Sequence, residues 1–302
     1  MHVISTNTRK LTITDYLIAA LLVLITLVCI APIWHTIAIS LSEKSAVEGG
    51  KVLFLPVDFT WSAYLKILDD GKFFRAFAVS LERVALGAGI QFILTVLMAY
   101  PLSMSSREFA GRNVYMWIIV FTMLFGGGLI PWYLVIKSLG MIKSLGMINS
   151  IWALVIPGAV PVFNVILVMN FMRNLPKELK EAAYIDGSGP WYLLLRIYIP
   201  LAVPALATVT LFSIVSHWND FFQGLILMSK PENYPLQTYI QQLAVKINLS
   251  ETDSEKLAEL AKLSNKSLNA AKIFVTIIPV LIVYPFLQRY FIHGITLGSV
   301  KE

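Results

Sequence analysis

Charge is what this sequence has least of. Asp, Glu, Lys and Arg together make up 14% of 302 residues, against about 25% in a soluble globular protein. That shortage excludes an ordinary water-exposed surface over most of the chain. Cysteine is nearly absent too: Cys29 is the only one, so no internal disulfide and no metal-thiolate site can form. It sits in an apolar run and reads as a small core hydrophobe. Metal-ligating and hydrolytic signatures are missing. There is no HExxH and no GxSxG, and no metal site is expected. The triplet Gly126-Gly127-Gly128 is followed by Leu129, Ile130 and Pro131, without the lysine of a phosphate-binding loop. It suits a close helix contact or a bend.

What is present is apolar sequence. Hydrophobic residues reach 57% and the mean hydropathy is +0.72. A bilayer core of about 30 Å needs about 20 apolar residues as helix. Six stretches qualify, at about 16–39, 76–102, 114–136, 150–172, 192–218 and 271–292. A lipid solvent leaves helices as the default, so the expected fold is an all-α, polytopic membrane protein, 1–302 forming one six-span domain. The first stretch is longer than the apolar core of a cleaved signal peptide and reads as a retained anchor.

The formal charge of +6 has no dense basic cluster behind it, which argues against nucleic acid. Its distribution gives sidedness instead. With both termini inside, the short inner segments hold Arg9, Lys10, Arg107, Arg112, Arg173, Lys177, Lys180, Arg196, Arg289 and Lys301, as the positive-inside rule requires. The connector at about 220–270 then lies outside. Its 246–270 part carries a weak leucine stripe among charges, a pattern that favours a solvated face. An exact hexapeptide duplication, Lys137–Ile142 followed by Lys143–Ile148, is too short for a solenoid repeat and lengthens an outside loop.

Between spans four and five lies Asn174-Leu-Pro-Lys-Glu-Leu-Lys-Glu-Ala-Ala-Tyr-Ile-Asp-Gly187. Pro176 suits a first helical turn and Gly187 the residue past its end, which predicts a short inner helix at about 176–187. Its paired alanines allow close approach by another backbone. It serves either as a handle for a soluble partner or as an amphipathic connector on the lipid surface. Pro157 and Pro161 in span four, and Pro200 and Pro204 in span five, are either static kinks or breaks that suit alternating access. Asn164, Asn170, His217, Asn219 and Asp220 are polar groups in or near spans, costly there and often functional. Trp132, Tyr133 and Trp218 either offer flat stacking faces along a substrate path or anchor the membrane interface. Glu82 and Arg83 enter span two from outside and call for separate partners.

Glu181-Ala182-Ala183, then Gly187, Ile197 and Ile199-Pro200, resemble the EAA motif of binding-protein-dependent ATP-binding-cassette importer permeases. The family usually has Leu where this chain has Ile199. Phe73–Phe77, Trp152–Gly158 and the tail from Arg289 to Ile295 are similar to its carbohydrate-uptake branch, of the maltose-transporter second-permease type and the LplC/YtcP-like group. The resemblance implies a sugar or oligosaccharide importer subunit in the bacterial cytoplasmic membrane. The 176–187 segment would be its coupling helix, with Glu178, Glu181, Ala182, Ala183, Tyr184, Asp186 and Gly187 as the ATPase-coupling residues. Implied partners are a second homologous permease, two ATPase subunits and an extracytoplasmic solute-binding protein. No cofactor is expected in this chain, ATP and Mg being held by the ATPases, and the chain itself is expected to be non-catalytic. A stand-alone secondary transporter would need an inverted repeat, and none is visible. An intramembrane enzyme would need an acid–base pair, and none is obvious.

Overall fold

The computed structural model describes residues 12–138, 149–249 and 266–299, with side chains as far as 243 and 285 in the last two stretches. All but the first two residues of the hexapeptide duplication, the 250–265 part of the 220–270 connector and both chain ends lie outside the described residues.

The elements in order are α1 (Ile13–Ser40), α2 (Lys44–Glu48), α3 (Ser62–Leu68), α4 (Gly71–Ser103), α5 (Arg112–Leu124), α6 (Leu129–Ser138), α7 (Ile151–Val155), α8 (Val162–Arg173), α9 (Lys177–Ile185), α10 (Pro190–Leu201), α11 (Val203–Asn219), α12 (Phe222–Leu227), α13 (Leu236–Leu249) and α14 (Lys266–Ser299). The described residues contain no strand. The chain divides into two compact units, one of residues 1–69 and 250–275, the other of 70–249 and 276–302.

In the first unit α1 is apolar on every side, and Leu17, Leu21, Leu24 and Val28 are all exposed. A helix that is hydrophobic all round belongs in a core or a membrane. After it the chain folds back on itself. Ser42 Oγ accepts from Val57 N at 3.0 Å, Trp34 Nε1 donates to Phe54 O at 2.7 Å, and Ser40 Oγ meets Tyr64 Oη at 2.7 Å.

The second unit is built around α4. Asp70 Oδ1 caps it, accepting from Lys72 N and Phe73 N at 3.1 Å each. Its buried residues Phe73, Ala76, Ser80, Arg83, Gly87 and Gln91 recur every three or four positions, the spacing of one helix face. That face packs against α8 and α11. Toward one end Val96, Ala99, Val165, Val168, Leu206 and Val209 form a continuous buried cluster. Lipid tails are as apolar as these side chains, so close packing rather than water exclusion holds the helices together.

Among the described residues, only α1, α4 and the 266–285 part of α14 are unbroken helices long and apolar enough to cross a membrane. The other three expected spans are bent pairs. Arg112–Leu124 and Leu129–Ser138 meet at 117°, Ile151–Gly158 and Val162–Arg173 at 47°, and Pro190–Leu201 and Val203–Asn219 at 80°. Glycines 126–128 supply the first break. Pro161 opens α8, and Pro204 follows the junction at Ala202. Within the second bend Gln91 Nε2 donates to Gly158 O at 2.8 Å, which satisfies a carbonyl at the break as a non-aqueous surrounding demands.

The 220–270 connector, expected as a long external loop with a locally helical 246–270 part, is helical over Phe222–Leu227 and Leu236–Leu249. Its start, α12 and α13 dock on the first half of α4. Leu236 N donates to Ser80 Oγ at 2.7 Å, Arg75 Nε to Glu232 O at 2.8 Å, and Tyr239 Oη to Asp70 Oδ2 at 3.1 Å.

Candidate functional site

Helix α9 is short, polar and tightly terminated. Pro176, at φ −56° and ψ 130°, stands just before it rather than in its first turn. Glu178 in the first turn complements the helix dipole. Gly187 ends it at φ +75°, a left-handed conformation costing an L-residue about 1–2 kcal/mol. Ser188 N donates to Ala183 O at 2.9 Å and Gly187 N to Tyr184 O at 3.0 Å, the paired bonds of a Schellman cap.

The helix has three unlike faces. Ala183 is buried, with Met172 and Leu193 in the same cluster. This departs from the expected pairing of Ala182 and Ala183 on one docking surface. Residues adjacent on a helix point about 100° apart, so the second alanine serves the chain's own core. Glu178, Glu181, Ala182 and Ile185 share an opposite stripe by their spacing and are all exposed, Ile185 at 87%. Sequence reasoning missed Ile185. The available signal was an isoleucine in phase with two glutamates, where a solvated face would carry a polar residue. Tyr184 and Asp186 are exposed beside this stripe.

The third face anchors the helix. Lys180 pairs with Glu108 of the α4–α5 connector and lies 5.7 Å from the centre of the Tyr184 ring. Glu108 also accepts from Ser105 N and Ser105 Oγ at 3.0 Å each. The Lys180 hydrogen bond, reinforced by those from Ser105 and opposed by partial burial, holds the Glu108 carboxyl below its ordinary range. Neither Glu108 nor its role as an anchor was singled out from the sequence. Behind α9, residues Leu193–Tyr198 of α10 wind as a π-helix, a form that recurs at functional sites. Tyr198 packs edge-on against Tyr100 with ring centres 5.1 Å apart.

The substrate-path candidates do not form one lining. Trp132 and Tyr133 pack against a buried cluster of Ile136, Leu154, Leu227 and Met228. Asn164 is buried and its Nδ2 reaches Val209 O at 3.3 Å and Ser213 Oγ at 3.2 Å, so it joins α8 to α11. Trp218 is buried against Phe77 and donates from Nε1 to Thr276 O at 3.2 Å. Asp220 Oδ2 receives Arg83 Nη2 at 2.7 Å, and Gln223 Oε1 receives the same nitrogen at 2.8 Å, so the separate partner that Arg83 called for is Asp220. His217 is buried with Nε2 unpartnered. A Cβ at Gly87 would lie 2.5 Å from that nitrogen. Only Asn170 and Asn219 are exposed.

Residues 85–297 match the family described as the binding-protein-dependent transport system inner membrane component. Over 95% of its length the chain is 35% identical to the polygalacturonan/rhamnogalacturonan transport system permease protein YtcP of Bacillus subtilis strain 168, 98% of which is covered. The protein LplC of the same organism is 36% identical over 91% of this chain and 90% of its own. Among solved structures, a chain of a bacterial ABC transporter involved in import of the acidic polysaccharide alginate superposes with a TM-score of 0.82. It is 34% identical, and the match covers 94% of this chain and all of that one.

Proposed function

Because the chain belongs to the family of inner-membrane components of binding-protein-dependent transport systems, we propose that α9 is the point at which ATP hydrolysis on a partner subunit is coupled to movement of an acidic oligosaccharide. The chain is a carbohydrate importer permease of the inner membrane, and this leaves no support for the secondary-transporter and intramembrane-enzyme readings. Several finer steps belong to the proposal. The termini and α9 face the cytoplasm. Two ATPase subunits hold ATP and Mg, a second permease completes the pathway, and this chain contributes no catalytic group. A solute-binding protein delivers substrate from outside.

One observation carries the coupling role. Helix α9 is locked to its own bundle through Ala183 and Lys180, yet presents Glu178, Glu181, Ala182 and Ile185 uncovered. A rigid helix with a small residue between an acid and an apolar side chain suits a cleft that closes around it. A push on it passes into the buried cluster shared by α4, α8, α10 and α11. The acidic substrate class is supported by two relatives near one-third identity, whose substrates are polymers of acidic sugars. The inner placement of α9 is supported by the basic residues of the short segments around it.

Extraction of the tagged chain in mild detergent, from cells expressing its neighbouring genes, tests the coupling surface. Recovery of an ATPase and a second permease is expected. Glu181→Lys and Ile185→Asp should lower ATPase recovery roughly tenfold, about 1.4 kcal/mol of binding, while leaving the yield of the permease pair unchanged. Equal ATPase recovery in the variants would remove α9 from the interface.

A further inference from the structure

Beside α9 a cavity of about 420 Å³ opens between the end of α4, the start of α5, the end of α8 and the anchoring face of α9. Its charged lining comprises Arg112, Arg173, Lys177, Lys180, Glu108 and Glu181. Lys180 and Glu108 neutralise one another, which leaves three cations against one carboxylate. The two arginines are the unusual part. Arg112 Nε donates to Leu102 O at 2.8 Å, and Arg173 Nη2 lies 3.5 Å from the same oxygen. Arg112 otherwise reaches only Asn113 Oδ1 at 3.2 Å, and Arg173 only Met169 Sδ at 3.7 Å. Two guanidinium groups therefore share one neutral carbonyl, and neither has a carboxylate partner among the described residues. Like charges held side by side in that way call for an anion. Guanidinium forks match phosphate oxygens in particular.

The surroundings point to the source of that phosphate. Arg112 begins α5, whose Val114, Trp117, Ile118 and Phe121 are uncovered apolar side chains. The arginine thus stands where an outward-facing apolar helix meets the polar end of the bundle. Met104, Met172 and Leu175 supply apolar wall to the same cavity. Basic pockets between spans on the cytoplasmic side suit anionic headgroups. We propose that Arg112 and Arg173 hold the phosphate of an anionic glycerophospholipid of the inner leaflet, seated against the anchoring face of α9. The site rests on the cytoplasmic placement of α9 given above.

The test uses the full chain, purified with its co-purifying partners, in nanodiscs of mixed phosphatidylglycerol and phosphatidylcholine. Retained lipid is counted by native mass spectrometry after stepwise delipidation. Wild-type protein should keep phosphatidylglycerol in preference to phosphatidylcholine. Arg112→Gln with Arg173→Gln should lose that preference roughly tenfold or more. The milder Arg112→Lys with Arg173→Lys, which keeps the charge, should lose the fork and show an intermediate loss. Arg107→Gln with Arg196→Gln, basic residues of the same side outside the cavity, should change nothing. Equal losses in both glutamine pairs would reduce the effect to general surface charge and overturn the site. Displacement of the lipid by millimolar inorganic phosphate, or retention only when the ATPase is absent, would overturn the lipid as the natural occupant. Sidedness is read separately, in intact cells carrying Cys29→Ala with Ser106→Cys. Labelling of that cysteine by an impermeant maleimide would overturn the cytoplasmic placement. Its protection, together with lipid retention insensitive to the arginines, would overturn the headgroup site alone.

Discussion

Gly87 shows how much of this bundle depends on one missing methyl group. The His217 ring occupies the space where its Cβ would be, and α4 and α11 approach each other there. Overpacking of that kind costs about 1–3 kcal/mol. Gly87→Ala should therefore lower the thermal stability of the purified chain in detergent, and adding His217→Ala should recover most of the loss. Failure of the second substitution to rescue would place the role of Gly87 elsewhere. Glu108 makes a different prediction. Its carboxyl is held below the ordinary value, so the Lys180 pair stabilises the fold above the unfolded carboxylate value near pH 4. That contribution fades as pH falls through the lower folded value. Wild type and Glu108→Gln should then differ by a constant amount from pH 6 to 8 and converge only in acid. Glu108 is 39% exposed at the side chain, which keeps the difference within about 1 kcal/mol. A gap that changes between pH 6 and 8 would contradict this. Much at this scale was beyond sequence reading. Arg83 was seen to need a partner, but the Asp220 carboxylate is 137 positions away. Asp220 itself looked like a substrate-path residue because a lone acid near a span end carries no mark of its pairing.

The elements were more legible than their directions. Hydropathy located all six apolar stretches because it measures composition, which lipid dictates. It cannot show that three of them bend by 47° to 117°, because direction follows from what each half packs against. Glycines 126–128 and the proline pairs marked where breaks could fall. Helix α9 was legible almost to the residue, since Pro176 and Gly187 act through local backbone geometry alone. Ala183 turned inward for a reason the motif does not contain: the position of the α10 core behind it. The 220–270 connector was read as a loop because the hydrogen bonds that fix its helices on α4 join positions distant in sequence. Gln91 is the element-scale test. Gln91→Leu leaves Gly158 O without its donor in a partly buried bend, a loss of about 1 kcal/mol. Thermal unfolding of the variant should fall accordingly, with Gln91→Glu worse still because two oxygens would then face each other. Unchanged stability in both would mean that the bend is satisfied by other means.

At the scale of the whole molecule, the second unit reads as a lever around α4. The 220–249 segment grips its first half, and the cluster that receives α9 packs against its second. A displacement of α9 enters that cluster and meets the bent spans, whose breaks can absorb a change of angle. This account makes transport of an acidic oligosaccharide depend on ATP and on α9 together. The most direct measurement is uptake of labelled oligogalacturonate and oligoalginate into proteoliposomes holding the assembled importer and its binding protein. Wild-type chain is compared with Gly187→Val, a β-branched residue that cannot readily take the left-handed terminus of α9. The account predicts ATP-dependent uptake of an acidic oligosaccharide in preference to neutral ones, and a loss of roughly tenfold or more in the variant despite normal insertion. Uptake that persists without ATP, or that is undiminished by Gly187→Val, would contradict it.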